Sequence, residues 1–193
     1  MKKFILAALS VLMLSGMANA QLNEEIKLSR ERAEKLQKMC DDYKRSGNSN
    51  VDGFGDAVKD AAVLAIANSV QLENMYKRQI GEPNADGTID VTNDKPTLEE
   101  WTAFATTVAG EAVSIKNATD KAKATADEVK SITESATKEK NPMKAAKAAK
   151  TAKAVSAVLE FGNAATPILL EESAAQVKAV NTIIETIKSG KNL

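Results

Sequence analysis

TLEEWTAFATTVAGEAVSIKNATDKAKATADEVK, residues 97–130, decides the fold. Leu98, Trp101, Ala105, Val108, Ala112, Ile115, Thr119, Ala122, Ala126 and Val129 follow one another at alternating steps of three and four. That spacing places them all on one stripe of a helix and is the seam pattern of a coiled coil. Thr97 and Glu100 have the spacing of a capping box, in which each side chain satisfies a free backbone N–H at the helix start. Followed to about Lys140, the helix over 97–140 is roughly 65 Å long at 1.5 Å per residue.

Downstream, Asn141-Pro142 fits an N-cap followed by the first helical residue, where proline's missing N–H does no harm. A helix over 142–189 therefore starts almost where the previous one ends, and so short a connection makes the two antiparallel neighbours. The stripe in its second half reads Leu170, Ser173, Val177, Val180, Ile184 and Ile187, with Gly190 as the stop. Gly162 and Pro167 place a kink, or failing that a break, near residues 162–167.

Upstream, Leu22, Ile26, Ser29, Ala33, Leu36, Cys40 and Tyr43 form another stripe, which predicts a helix over 22–46. Ser46 to Gly53 combines turn formers without a period, with Asp52 as the candidate N-cap of the next helix. That helix covers 54–80, with a broad face of Val58, Ala61, Ala62, Ala65, Ile66, Leu72, Met75 and Tyr76. Gly81 and Pro83 end it.

The fold expected is all-α: an elongated, coiled-coil-like antiparallel bundle of about four helices in up-down order, with a long C-terminal hairpin. The last two helices exceed the first two in length, so one end of that hairpin should project or meet a partner. Stripes rich in Ala, Ser and Thr permit close helix approach but bury modest area, which favours a homo-oligomer as cover for exposed seam.

The N-terminus carries a different kind of signal. Lys2 and Lys3 precede an apolar run from Phe4 to Leu14, and Ala18-Asn19-Ala20 supplies small residues at a cleavage site. These are the parts of a secretory signal peptide, residues 1–20, with cleavage expected after Ala20. Residues 21–193 then form one helical domain, extracytoplasmic, either periplasmic or secreted. The only cysteine, Cys40, lies far from the cleavage point, so the chain is not a lipoprotein. Alone, Cys40 cannot close an internal disulfide; it is a packed core thiol or an intermolecular cross-link. No apolar run in the mature chain suits a stable transmembrane segment.

Composition narrows the function. Histidine is absent, which removes His-dependent triads, His-ligated haem and the usual zinc sites. Glu99-Glu100 and Glu171-Glu172 are adjacent pairs that point in different directions on a helix and make poor acid–base partners. No catalytic constellation emerges, and the expectation is a protein that is not an enzyme and has no catalytic residues. Removing Lys2 and Lys3 from the balanced 26 basic and 26 acidic residues leaves a net charge of −2, which argues against nucleic acid as partner.

Three features bear on binding. Lys138, Lys140, Lys144, Lys147, Lys150 and Lys153 outweigh the single Glu139 over residues 138–153, while Glu82, Asp86, Asp90, Asp94, Glu99 and Glu100 outweigh Lys95 over 82–100. The lysines form either a patch for an anionic protein or envelope component, or a solvated helix end. Glu82, Asn84, Asp86, Thr88 and Asp90, with Asn93 closing the pattern, align with a calcium loop over 82–93, Gly87 serving the sharp turn. Glu at the first position, Pro83 at the second and Asn93 at the last weaken that match, and an ordinary Asp-Gly turn or small hairpin explains the segment equally. No other cofactor is expected. Ala154 to Leu170, with Glu160 as its only charge, is either a core segment or part of a membrane-active stretch over 138–170. The leading expectation is an exported adaptor, scaffold or chaperone-like binding protein; membrane activity and weak calcium binding are the alternatives.

Overall fold

The structure is a computed structural model that describes residues 19–83, 89–90 and 94–190, with side chains over 21–81 and 94–190. The expected leader lies almost wholly outside the described residues. Four helices dominate: α1 (Asn19–Asp42), α2 (Ser49–Ile80), α3 (Leu98–Lys138) and α4 (Pro142–Lys188). Between α2 and α3, β1 (Glu82–Pro83) and β2 (Ile89–Asp90) pair antiparallel, Glu82 opposite Asp90 and Pro83 opposite Ile89.

Each helix runs antiparallel to the one before it. Ser29 meets Ser69 and Tyr43 meets Asp56 across α1–α2, while Trp101 meets Gln79 and Asn48 meets Glu128 across α2–α3. α1 packs on α2 and α4, α3 packs on α2 and α4, and α2 and α4 also touch across the diagonal. The diagonal closes because its facing surfaces are small, with Ala61, Ala62 and Ala65 on α2 and Ala165 on α4 buried together. Two glycines complete the fit. A Cβ on Gly55 would lie 2.6 Å from the Tyr43 hydroxyl and 2.7 Å from Val158, and a Cβ on Gly162 would run into the Phe54 ring.

The caps explain most of the helix boundaries. Thr97 and Glu100 form the expected capping box, at 3.1 Å and 2.7 Å. Asn141 accepts from the N–H groups of Met143 and Lys144, with Pro142 as the first helical residue. Gly81 and Gly190 take positive φ at the ends of α2 and α4. The loop after α1 is shorter than its sequence suggests. α1 stops at Asp42 instead of residue 46, and α2 starts at Ser49 instead of 54, because Asn48 and not Asp52 is the N-cap. Asp52 instead reaches back from the first turn of α2 to the N–H groups of Ser46 and Gly47 and to the Ser46 hydroxyl. Burial pushes the Asp52 carboxyl up, but those bonds, with Arg45 nearby, outweigh it and hold the group below its ordinary range.

α4 passes through Gly162 and Pro167 as one unbroken helix, so the break considered at 162–167 is absent. Pro167 and Asn163, whose carbonyl loses its partner, are both exposed, which leaves that carbonyl to water. Gly162 is buried under Phe54 and is there for close approach.

The core is layered. One apolar cluster joins Leu22, Ile26, Leu72, Trp101, Phe104 and Ile183, a second joins Leu36, Cys40, Phe54, Val58, Ile115 and Leu169, and a third joins Val51, Val129, Val155 and Val158. Each large side chain so buried stabilises the fold by about 1.5–3 kcal/mol. Beyond the Val51 layer α1 and α2 are over, and no residue from Lys130 to Thr151 is buried. The α3–α4 hairpin projects there by roughly 13 Å, held along its seam by half-buried Ile132, Ala136, Ala145 and Ala148.

Two stripes need correction. Trp101, Val108, Ile115 and Val129 of α3 are inside as expected, but Ala112 and Ala126 are exposed. Phe104, Glu111, Ala118 and Thr125, on the other side of the same line, are buried instead. On α4, Ser173, Val180 and Ile184 are inside, but Leu170 and Val177 are exposed while Glu172, Gln176, Ala179 and Ile183 are buried.

Candidate functional site

Between the Trp101 cluster and the Leu36 cluster every helix contributes polar side chains to the interior. α1 brings Ser29 and Arg32, α2 Asn68 and Ser69, α3 Glu111, and α4 Glu172, Ser173 and Gln176, all buried. Glu172 is wholly inaccessible and fully partnered. Its Oε2 accepts from Arg32 Nε at 2.5 Å, and its Oε1 accepts from Gln176 Nε2 at 2.6 Å and from the Ser29 hydroxyl. Since the Ser29 proton is committed to Glu172, Ser69 must donate across the 2.9 Å contact with Ser29. Arg32 also grips Glu25 at 2.6 Å and Glu171 at 3.3 Å nearer the surface. Burial alone would lower the Arg32 pKa, but the bonds to Glu172 and Glu25 raise it, so the guanidinium stays charged.

Glu111 is less well served. Asn68 Nδ2 donates to its Oε2 at 2.7 Å, while its Oε1 is buried without a partner. Burial pushes its carboxyl up to about 7; the Asn68 bond pulls it back in part, and the negative charge of Glu172 adds to the rise. Gln176 presents a second unpartnered acceptor. Its Nε2 donates both to the Ala65 carbonyl at 3.0 Å and to Glu172, which fixes the amide orientation and leaves Oε1 buried with no donor.

The other candidate surface is the projecting hairpin. Lys138 ends α3, Lys140 lies in the connector, and Lys144, Lys147, Lys150 and Lys153 lie on the first turns of α4; all six are exposed. Among the described residues none of them forms an ion pair, the nearest pair being Lys130 with Glu134. Met143, 86% exposed, sits at the hairpin end among them. Asp94, Glu99 and Glu100, also exposed, lie at the opposite end of α3, so these three acidic residues are kept apart from the lysines.

No protein-family model, curated protein or solved structure matches the chain. Roles for its residues therefore rest on their chemistry and placement.

Of the calcium-loop positions, the backbones of Glu82 and Asp90 face each other in the β1–β2 ladder, whereas Asn84, Asp86, Thr88 and Asn93 lie outside the described residues. Among the described residues no cluster of three or more His, Cys, Asp or Glu side chains is placed to hold a metal. Ala154–Leu170 turns Val155, Val158, Gly162, Ala165 and Leu169 into the core, and no described helix is long and apolar enough to cross a membrane. Cys40 is buried beside Leu36 and Phe54, and desolvation raises its thiol pKa, so it is a poor nucleophile. A groove of about 500 Å³ between α2 and α3, lined by Val70, Met75, Arg78, Glu100 and Phe104, lies on the outer face.

The sequence reading missed the polar layer. The signal that would have found it is the step of seven from Phe104 to Glu111 and Ala118, and from Leu169 to Gln176 and Ile183, which continues an apolar line through a polar residue.

Proposed function

We propose that the chain is an exported, non-enzymatic binding protein that engages an anionic protein or envelope component through the free end of its α3–α4 hairpin, as an adaptor, scaffold or chaperone-like module. The observation that carries this reading is the hairpin itself. It extends beyond the last core layer and holds Lys138, Lys140, Lys144, Lys147 and Lys150 there, with Lys153 at its base, all exposed and without an ion-pair partner among the described residues. An ammonium already paired has little left for a partner, whereas these are free to steer and hold one. The lysines point around the hairpin and not along one face, which suits a tip that enters or caps a partner.

The test is cross-linking capture from the native envelope with the mature protein and with a variant carrying Lys144→Gln, Lys147→Gln, Lys150→Gln and Lys153→Gln. A specific partner lost in the variant supports the reading; a partner kept by it discards the tip, and none for either protein removes the binding role. Export is tested separately by mass spectrometry of the native protein, for which Gln21 is the expected first residue.

A further inference from the structure

Two buried acceptors without donors in one layer require something to complete them. Glu111 Oε1 and Gln176 Oε1 are both unpartnered. Each side chain is anchored to α2 within a single turn, Glu111 by Asn68 and Gln176 by the Ala65 carbonyl. Neither anchoring group can turn round to help, because the amide of Gln176 is fixed by two acceptors and Asn68 already donates. The charged group acting on Glu111 is Glu172 from α4, which is in turn bound to Arg32, itself bound to Glu25, both from α1; from α2 the neutral Asn68 donates to Glu111. Arg32 is engaged by Glu172, Glu25 and Glu171, so an ionised Glu111 has no counter-charge of its own.

We propose that Glu111 is a buried proton-binding site whose bound proton keeps an uncompensated charge out of the polar layer and so locks the middle of the bundle. One proton on Oε1 removes the uncompensated charge and leaves Oε2 free to accept from Asn68. When it leaves, a second negative charge joins Glu172 in the interior, the Arg32 guanidinium is already shared among Glu172, Glu25 and Glu171, and the middle of the bundle loosens. The device acts whatever the hairpin binds.

The direction of the pH effect follows. In the unfolded chain this carboxyl titrates in its ordinary range near 4.5, and in the fold near 7. The folded chain holds more protons between those values, so the stability supplied by Glu111 is complete below about 4.5, declines as pH rises and is gone above about 7. That is opposite in sign to the usual paired carboxylate.

The experiment compares melting temperatures of the mature protein and Glu111→Gln at pH 5 and pH 8. Glutamine mimics the protonated acid: it is neutral, and its carbonyl can accept from Asn68. The variant should melt within roughly 2 °C of the parent at pH 5 and roughly 5–10 °C above it at pH 8. The same difference at both pH values overturns the proposal. If the variant does not fold, carbon NMR of the Glu111 carboxyl in the unaltered protein decides it: a midpoint near 7 supports the site and one in the ordinary range overturns it. Stabilisation of the parent, but not of Glu111→Gln, at pH 8 by sodium, potassium or calcium chloride over choline chloride at equal ionic strength would identify a cation as the occupant and overturn the proton.

Discussion

The middle of the bundle and the free end of its hairpin treat charge in opposite ways. In the middle, Arg32, Glu111 and Glu172 are withdrawn from water, and each derives its tolerance from named partners on other helices. At the hairpin end, Lys138, Lys140, Lys144, Lys147, Lys150 and Lys153 face solvent one by one. A buried charge without its partner is heavily penalised, whereas an exposed one contributes close to nothing to stability. The difference teaches where changes should be felt. The layer specifies how four helices align, and the tip is free to vary without unfolding the protein.

The largest effect should come from breaking the layer at Arg32, its buried cation. Arg32→Met leaves Glu172 wholly buried with one of its strongest donors gone. It should destabilise the fold by about 3–5 kcal/mol, read from urea unfolding. Arg32→Met combined with Glu172→Met sharpens the comparison, because removing both charges replaces the pair by apolar volume. The double variant should regain most of the loss. If it is as unstable as the single variant, the packing of the Arg32 stem matters more than its charge.

Gly162→Ala comes next. Alanine is the better helix former by about 1 kcal/mol, and at an exposed position the change would stabilise. Here the new Cβ meets the Phe54 ring, which is itself buried. A net loss of about 1–3 kcal/mol is expected by the same unfolding measurement. Gly110 is the control: it lies in α3 with open space where its Cβ would stand. Gly110→Ala should therefore raise stability by up to about 1 kcal/mol.

How far the sequence reveals this molecule depends on which kind of residue carries the information. The α1 stripe is legible up to the helix end, since Leu22, Ile26, Ser29, Ala33, Leu36 and Cys40 are all buried, while Tyr43, past the end of α1, is half-buried. Caps at Thr97 and Asn141 are legible because their geometry is local. In α3 and α4 the central line is legible and its flank is not. Ala112 and Ala126 look like a seam because alanine is apolar, yet alanine removes little area from water, and the large Phe104 turns the helix the other way. Once Phe104 is inside, Glu111 follows seven residues later. The same rotation on α4 exposes Leu170 and Val177 and buries Glu172 and Gln176. A buried carboxylate is tolerated only by partners from other chain segments, here 43 residues away for Asn68 with Glu111 and 140 for Arg32 with Glu172, and no local pattern announces them.

The smallest effect on stability should come from the hairpin. With Lys144, Lys147, Lys150 and Lys153 all changed to glutamine, the melting temperature should stay within about 2 °C of the parent, equivalent to about 0.5 kcal/mol. Glutamine and lysine have similar helix propensity, the four side chains are exposed, and none forms an ion pair among the described residues. The mutual repulsion of lysines spaced by three residues is relieved at the same time, and this offsets the loss of solvation at the helix end. Measured at low and at physiological salt, the parent should gain more from added salt than the variant does, because screening weakens that repulsion. A clear loss of stability in the variant would mean that the lysines support the hairpin itself. In that case the contrast with the buried layer fails, and the tip could no longer be regarded as a surface left free for a partner.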